Sequence, residues 1–408
     1  MKRLIMPFAL RVLLYKFVMV MLKLVTVFIP APKPTIYSGS GSSLKLCESL
    51  KFMGVTRILI VTDEMLSKMG LLDAVKKQLE ELNIGYVVFD KVVPDPGYQI
   101  VEDGVALGQN EHCDAVLGFG GGSSLDAAKV IAARMTNAVS IKKLVGVLKV
   151  KNPPVPIFTI PTTAGTGSET TIAAVVSDPD TNQKTPVIDP KLVPVAASLD
   201  PDLMTGLPPH ITAATGMDAL THAIESYISR HAAPDTDVYA LSAVKMIMKY
   251  LPVAYEDGAN LEAREAMALA SFYAGAAFTK ANLGYVHAIA HQFGAFYHTP
   301  HGLANAIVLP KVLDYSLPAA SERLAQLAKA TGLGGESDDE QALARKFVDS
   351  VKELNQKIGI PITLDKLKQE DIPAIAKGAL KEAHYLYPVP RYMNFKQCTQ
   401  MVSKMLQQ

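Results

Sequence analysis

"AVLGFGGGSSLDAAKVIAARM", residues 115–135, decides how the fold is read. Its first six residues form a short apolar run that fits a buried strand. Residues 123–135 then carry apolar side chains at helical spacing. Between them stand three consecutive glycines, Gly120, Gly121 and Gly122. Glycine lets a backbone turn tightly and approach a ligand closely. The helix that follows offers unpaired N–H groups and the positive end of its dipole, which suit a pyrophosphate. Ser123 can cap that helix or donate to a phosphate, and Asp126 falls in its first turn. The spacing is not G-x-G-x-x-G, so the standard dinucleotide fingerprint is not met, and a ligand-free glycine turn remains the other reading.

Working outward, strands and helices alternate. "RILIVTD" (57–63) and "YVVFD" (86–90) read as strands, with a helix over 64–82 between them and another reaching about 111. "PIFTIP", "TIAAVVSD", "TPVID" and "VPVAASLD" supply further short strands up to residue 200. This alternation predicts a parallel sheet covered by helices on both faces. Asp63 ends the first of these strands. It can accept from an adenosine ribose hydroxyl and repel a 2′-phosphate, which favours NAD over NADP, or it can simply cap the next helix. "TIPTTAGTGSE" (159–169) is a polar, glycine-containing stretch after a strand, able to line a cofactor cleft.

At "TGLPPH" (205–210) the character changes, and alanine-, methionine- and leucine-rich helical periodicity takes over. The expected organisation is an apolar basic extension (1–34), an α/β domain (35–206) and an all-helical domain (207–408).

The composition fits a globular chain. Of 408 residues, 49% are hydrophobic and 19% charged, and the net charge of +1 gives no reason to expect nucleic-acid binding. Cys47, Cys113 and Cys398 are far apart and form no C-x-x-C pair, which predicts a reduced, cytoplasmic chain without a zinc knuckle.

In the helical half, "GMDALTHAIE" (216–225) places Asp218 and His222 four residues apart, on one face of an otherwise apolar helix. Either they satisfy each other in the core or they hold a metal. "GYVHAIAHQFGAFYHTPHG" (284–302) adds His287 and His291 at the same spacing, then His298 and His301. Imidazoles with one carboxylate suit a borderline divalent ion such as Fe²⁺ or Zn²⁺. Ala288 excludes the H-E-x-x-H protease pattern.

With these segments in view, the chain resembles the iron-containing (group III) alcohol dehydrogenases, near the branch of lactaldehyde reductases, 1,2-propanediol dehydrogenases and butanol dehydrogenases. The motifs that carry the resemblance are "VTDEML", "VVPDP", "GFGGGSSLDAAK", "PTTAGTGSE", "GMDALTHAIE" and "VHAIAHQFGAFYHTPHGLANAIVLP", in the family's order over 57 to about 310. The resemblance implies a Rossmann-like α/β nucleotide-binding domain followed by a helical metal domain, an architecture shared with dehydroquinate synthase. It implies Asp218, His222, His287 and His301 as metal ligands, with His291 beside the substrate as a proton relay. It implies NAD contacts at Asp63, Asp95, Gly121, Gly122, Ser123, Ser124, Leu125, Asp126, Thr162, Thr163, Val175 and Lys184. The implied reaction moves hydride between NAD(H) and a small primary alcohol or diol and its aldehyde, in a homodimer or larger homo-oligomer. His298 departs from the pattern, where asparagine is frequent. The rivals are a glycerol-dehydrogenase-like zinc enzyme, a dehydroquinate-synthase-like lyase, and a membrane-associated scaffold with a regulatory NAD site.

The N-terminal segment is not explained by the family. Residues 1–34 carry Lys2, Arg3, Arg11, Lys16, Lys23 and Lys33 and no acid. Basic residues interrupt the apolar run before it reaches the ~18 residues of a membrane span, and no clean signal-peptide core is evident. Packing of residues 4–29 on the body or on a second subunit is the first expectation, and peripheral contact with an anionic membrane is the second. "PAPKP" (30–34) reads as a stiff break.

Overall fold

The computed structural model describes residues 6–26, 32–180, 184–335 and 337–407. Parts of the N-terminal expectation (Leu4, Ile5, 27–29, and 30–31 of the proline break) therefore lie outside the described residues. The α/β half contains β1 (Thr35–Ser38), β2 (Arg57–Val61), β3 (Gly85–Phe89), β4 (Ala115–Gly120), β5 (Gly146–Val147), β6 (Ile157–Pro161), β7 (Ala173–Ser177), β8 (Lys184–Ile188) and β9 (Ala196–Leu199). Ahead of it runs α1 (Phe8–Thr26), and among its strands lie α2 (Ser42–Phe52), α3 (Glu64–Lys68), α4 (Asp73–Glu81), α5 (Tyr98–Asn110), α6 (Gly122–Thr136) and α7 (Ile141–Leu144). The helical half follows, with α8 (Pro209–Ile228), α9 (Pro234–Glu256), α10 (Leu261–Ala281), α11 (Tyr285–Tyr297), α12 (His301–Ala330), α13 (Glu340–Lys357), α14 (Ile372–Leu386) and α15 (Phe395–Ser403).

The main sheet has strand order β1-β9-β6-β4-β2-β3, and every neighbouring pair is parallel. Period-2 alternation divides its side chains between two cores. In β2, Leu59 and Val61 point to the layer with Val101, Val105 and Ile131, whereas Ile58 and Ile60 meet Leu46, Leu50, Val75 and Leu79. Helices α5 and α6 thus cover one face and α2 and α4 the other, as the strand–helix alternation predicts.

Three details differ from the sequence reading. The sheet has an edge strand before Arg57, because β1 pairs with β9 far along the chain, Thr35 against Ala196. The helix expected over 64–82 is two, since Gly70 takes φ +74 and turns the chain between α3 and α4. Segments 173–177 and 184–188 are not in the parallel sheet. They form an antiparallel hairpin, with β5 on its edge, in a separate three-stranded sheet.

In the helical half, α8 is buried along nearly its whole length and packs on α9, α10 and α12. One continuous apolar core joins these helices to α11, α13, α14 and α15. Helix α1 lies on α14, with Tyr15 and Met19 turned inward. No helix among the described residues is long and apolar enough to cross a membrane.

Candidate metal centre

Helix α8 carries Asp218 and His222 one turn apart, both under 5% exposed. Helix α11 contributes His287 from its first turn, and α12 starts on His301. Between them the chain reverses at His298, which ends α11 in the left-handed conformation at φ 53. Glycine and asparagine adopt that backbone most readily. His298 is itself exposed and outside the cluster.

The structure brings Asp218, His222, His287 and His301 together, with one donor atom from each lying within 4.8 Å of the others. From Asp218 Oδ1 the Nε2 atoms of His301, His287 and His222 are 3.5, 3.8 and 3.9 Å away. Donors about 2.1 Å from one tetrahedral ion are about 3.4 Å apart, so this spacing fits a single metal. Close approach of α12 to α8 makes it possible. A Cβ on Gly302 would stand 2.2 Å from the Ala214 carbonyl oxygen. Asn305, one turn after His301, donates Nδ2 to Asp218 Oδ1 at 2.6 Å and lies 3.1 and 3.2 Å from Nε2 of His287 and His301.

Electrostatics favour a cation here. Burial depresses the imidazoles of His222 and, more strongly, His287. Burial also takes His301 down to about 4, although its side chain keeps 31% of its surface. Three neutral rings then present lone pairs beside one carboxylate at neutral pH, a donor set suited to Fe²⁺ or Zn²⁺.

A second layer, not foreseen from sequence, fixes the ligands. Glu225, buried on α8, accepts from His287 Nδ1 at 2.7 Å, Gly284 N at 2.9 Å and Val286 N at 2.7 Å. The Nδ1 proton is thereby fixed, so Nε2 faces the cluster as an acceptor. Burial pushes the Glu225 carboxyl up to about 8, against the pull of these N–H donors. His291 is not in the cluster. Its ring stacks 5.3 Å from that of His301, and its Nδ1 donates at 2.7 Å to Glu382, which also accepts from Tyr387 Oη at 2.6 Å.

Of the other expected residues, Asp63 follows β2, Asp95 follows β3, residues 121–126 follow β4 and Thr162 and Thr163 follow β6, while Val175 and Lys184 lie in the hairpin of β7 and β8; the switch in strand order falls between β2 and β4. These strands are neighbours, but β2 leads outward to β3 and β4 leads the opposite way to β6. Such a switch point opens a crevice. No side chain caps α6 at Gly121, so its first N–H groups stay available for an anion. Ser123 Oγ lies 3.4 Å from Asp95 N, and Asp95 pairs with Lys184 at 2.6 Å. Thr162 is buried with its N–H on the Gly120 carbonyl, while Thr163 is half-buried next to Gly121. Ser124 and Leu125 have buried side chains, so only their backbone can face a ligand. Both oxygens of Asp126 are engaged internally, from Ser168 Oγ at 2.6 Å and Val175 N at 2.9 Å. Asp63 caps α3, one oxygen accepting from Leu66 N at 2.9 Å. The loop after β6 packs on the helix that carries Asp218 and His222, since a Cβ on Gly165 would stand 2.7 Å from Thr215 of α8.

Comparison with known proteins matches this arrangement. The profile "Iron-containing alcohol dehydrogenase" covers residues 32–201, and "Fe-containing alcohol dehydrogenase family, C-terminal" covers 212–406. The chain belongs to the iron-containing alcohol dehydrogenase family. An NAD-dependent methanol dehydrogenase of Bacillus methanolicus is 42% identical over 357 residues, 87% of this chain and 93% of that one. The lactaldehyde reductase of Escherichia coli K12 is 38% identical over 352 residues, 85% and 92% of the two chains. A crystal structure of a 1,3-propanediol oxidoreductase superposes with a TM-score of 0.89 at 38% identity, over 93% of this chain and all of that one. Among iron-containing alcohol dehydrogenases, then, this chain carries the α/β half, the helical half and a further N-terminal helix.

Proposed function

We propose that this iron-containing alcohol dehydrogenase interconverts a small primary alcohol or diol and its aldehyde, using NAD(H) and one divalent ion held by Asp218, His222, His287 and His301. The observation that carries this reading is the convergence of those four donors in a chain whose α/β half reverses its strand order between β2 and β4. When bound, the ion supplies Lewis acidity toward the substrate oxygen and the nicotinamide supplies the two-electron partner. The chain's residues do the rest. Glu225 and Asn305 orient the donors, and the uncapped start of α6 receives the pyrophosphate. His291, its Nδ1 committed to Glu382, offers Nε2 to move the hydroxyl proton between substrate and solvent. Iron is favoured by family membership, and the donor set accepts zinc as well.

The remaining parts of the reading are a 35–206 nucleotide domain, a 207–408 metal domain, a homo-oligomer and a cytoplasmic location. Three unpaired, buried cysteines support the last of these. NADH oxidation by anaerobically iron-loaded protein with a panel of two- to four-carbon aldehydes tests the reaction. Absence of turnover with every aldehyde would refute it.

Two variants probe the roles. His291→Ala should keep its metal and lose about 10²-fold or more in kcat, the usual scale of a general acid–base group. Unchanged kcat, or loss of the ion, would contradict the relay. Asp63 should make kcat/KM higher for NADH than for NADPH. Asp63→Ser keeps a capping oxygen but removes the charge, and should narrow the preference by about tenfold, from ~1–3 kcal/mol of close-range repulsion. Equal wild-type efficiencies with the two cofactors would refute this assignment.

A further inference from the structure

Helix α1 is held by one face and bare on the other. Tyr15 and Met19 are buried, with the Tyr15 ring stacked 4.6 Å from His384 and edge-on to Tyr385 at 5.2 Å, and His231 Nε2 donates to the Met19 carbonyl at 2.9 Å. Opposite them stand Leu10, Leu13, Leu14, Phe17, Val20, Met21 and Leu24, all exposed, Phe17 by 62%. At 100° per residue these seven fall within an arc of about 120° centred away from Tyr15 and Met19. Arg11 lies on one flank of that arc, and Lys16 and Lys23 lie on the other. Residues 1–34 contain six basic residues and no acid.

We propose that α1 is an interfacial anchor that lies flat on an anionic lipid bilayer. Its ridge sinks into the boundary between headgroups and acyl chains, and the flanking Lys16 sits at headgroup level against lipid phosphates, beside Lys23, whose Nζ also donates to the Arg230 carbonyl at 3.4 Å. Charge complementarity selects this occupant. In a two-fold contact with a second copy, the basic flanks of two α1 helices would face each other with no acid in the segment to offset them. The helix does not span the bilayer, because its inner face stays docked on α14 and its flanks are charged. Helix α1 carries no residue of the four-donor cluster, so its membrane contact is independent of the dehydrogenase chemistry.

The test is flotation of the full-length protein with vesicles of phosphatidylserine and phosphatidylcholine, against vesicles of phosphatidylcholine alone. Binding is expected to the anionic vesicles only, and to fall steeply between low and high salt. Lys16→Gln should weaken it about fivefold, the scale of one cation near an anionic surface. Leu13→Glu/Phe17→Glu should abolish it while metal content and aldehyde reduction stay at wild-type levels, which shows that the fold is intact. Absence of flotation would overturn the proposal, as would equal binding to neutral vesicles. Wild-type protein that ignores vesicles but changes oligomeric mass in Leu13→Glu/Phe17→Glu would assign the ridge to a second copy and equally overturn it.

Discussion

Replacing His287 by alanine is expected to cost at least about a thousandfold in kcat/KM, with the chain still folded. Lewis-acid stabilisation of the reacting oxygen is worth several kcal/mol, and each ~1.4 kcal/mol is a factor of ten. His287 is the most buried of the four donors, at 1% exposure, so solvent cannot fill its place readily. Steady-state assays beside circular dichroism check the result. Activity within tenfold of wild type would contradict its role. The same burial sets an acid limit. The folded values of His222, His287 and His301 lie below the ordinary imidazole value of ~6.5, so the stability gained by burying them neutral is present above about pH 6.5. It is lost as pH falls through the folded values, that of His301 being about 4. Metal retention on dialysis should decline across this window, because protons and the ion compete for the same lone pairs.

Glu225→Ala should have the second largest effect, through stability and metal affinity together. The substitution strips the acceptor from three buried N–H groups, at Gly284, Val286 and His287 Nδ1. A buried donor left unpaired costs ~1–3 kcal/mol, so a loss on the order of 3 kcal/mol or more in denaturant unfolding is expected. With Nδ1 no longer fixed, the His287 ring can turn or change tautomer, and metal affinity should fall about 10- to 100-fold. Glu225→Gln keeps one acceptor oxygen and should fall between wild type and Glu225→Ala on both scales. An unchanged metal dissociation constant in Glu225→Ala would show that Glu225 serves the fold alone.

What was legible in the sequence follows from how locally each feature is encoded. Asp218 and His222, and His287 and His291, stand out because the four-residue spacing of a helix aligns them. Glu225 obeys the same geometry, seven residues after Asp218 in the same quoted motif, yet a single glutamate at a helix end looks like any solvated acid. Asn305, four residues after His301, is hidden for the same reason. Glu382, which Tyr387 holds, reaches His291 only because α14 packs on α11, a contact separated by about ninety residues that no local pattern reports. β1 is four residues long, and its partner among the described residues, β9, lies 161 residues away. The hairpin of β7 and β8 has the same β-branched composition as the sheet strands, so composition could not tell which sheet it joins. For α1, the apolar residues and flanking cations were plain, but which face meets the protein depends on Tyr15 finding His384 and Tyr385.

Four side chains from α8, α11 and α12 converge within 4.8 Å and are proposed to hold one divalent ion. Elemental analysis of anaerobically iron-loaded protein, repeated with Asp218→Ala, His222→Ala and His301→Ala, tests this most directly. One ion per chain is expected in the wild type and little or none in each variant. Full occupancy in the His222→Ala or Asp218→Ala protein would contradict the account.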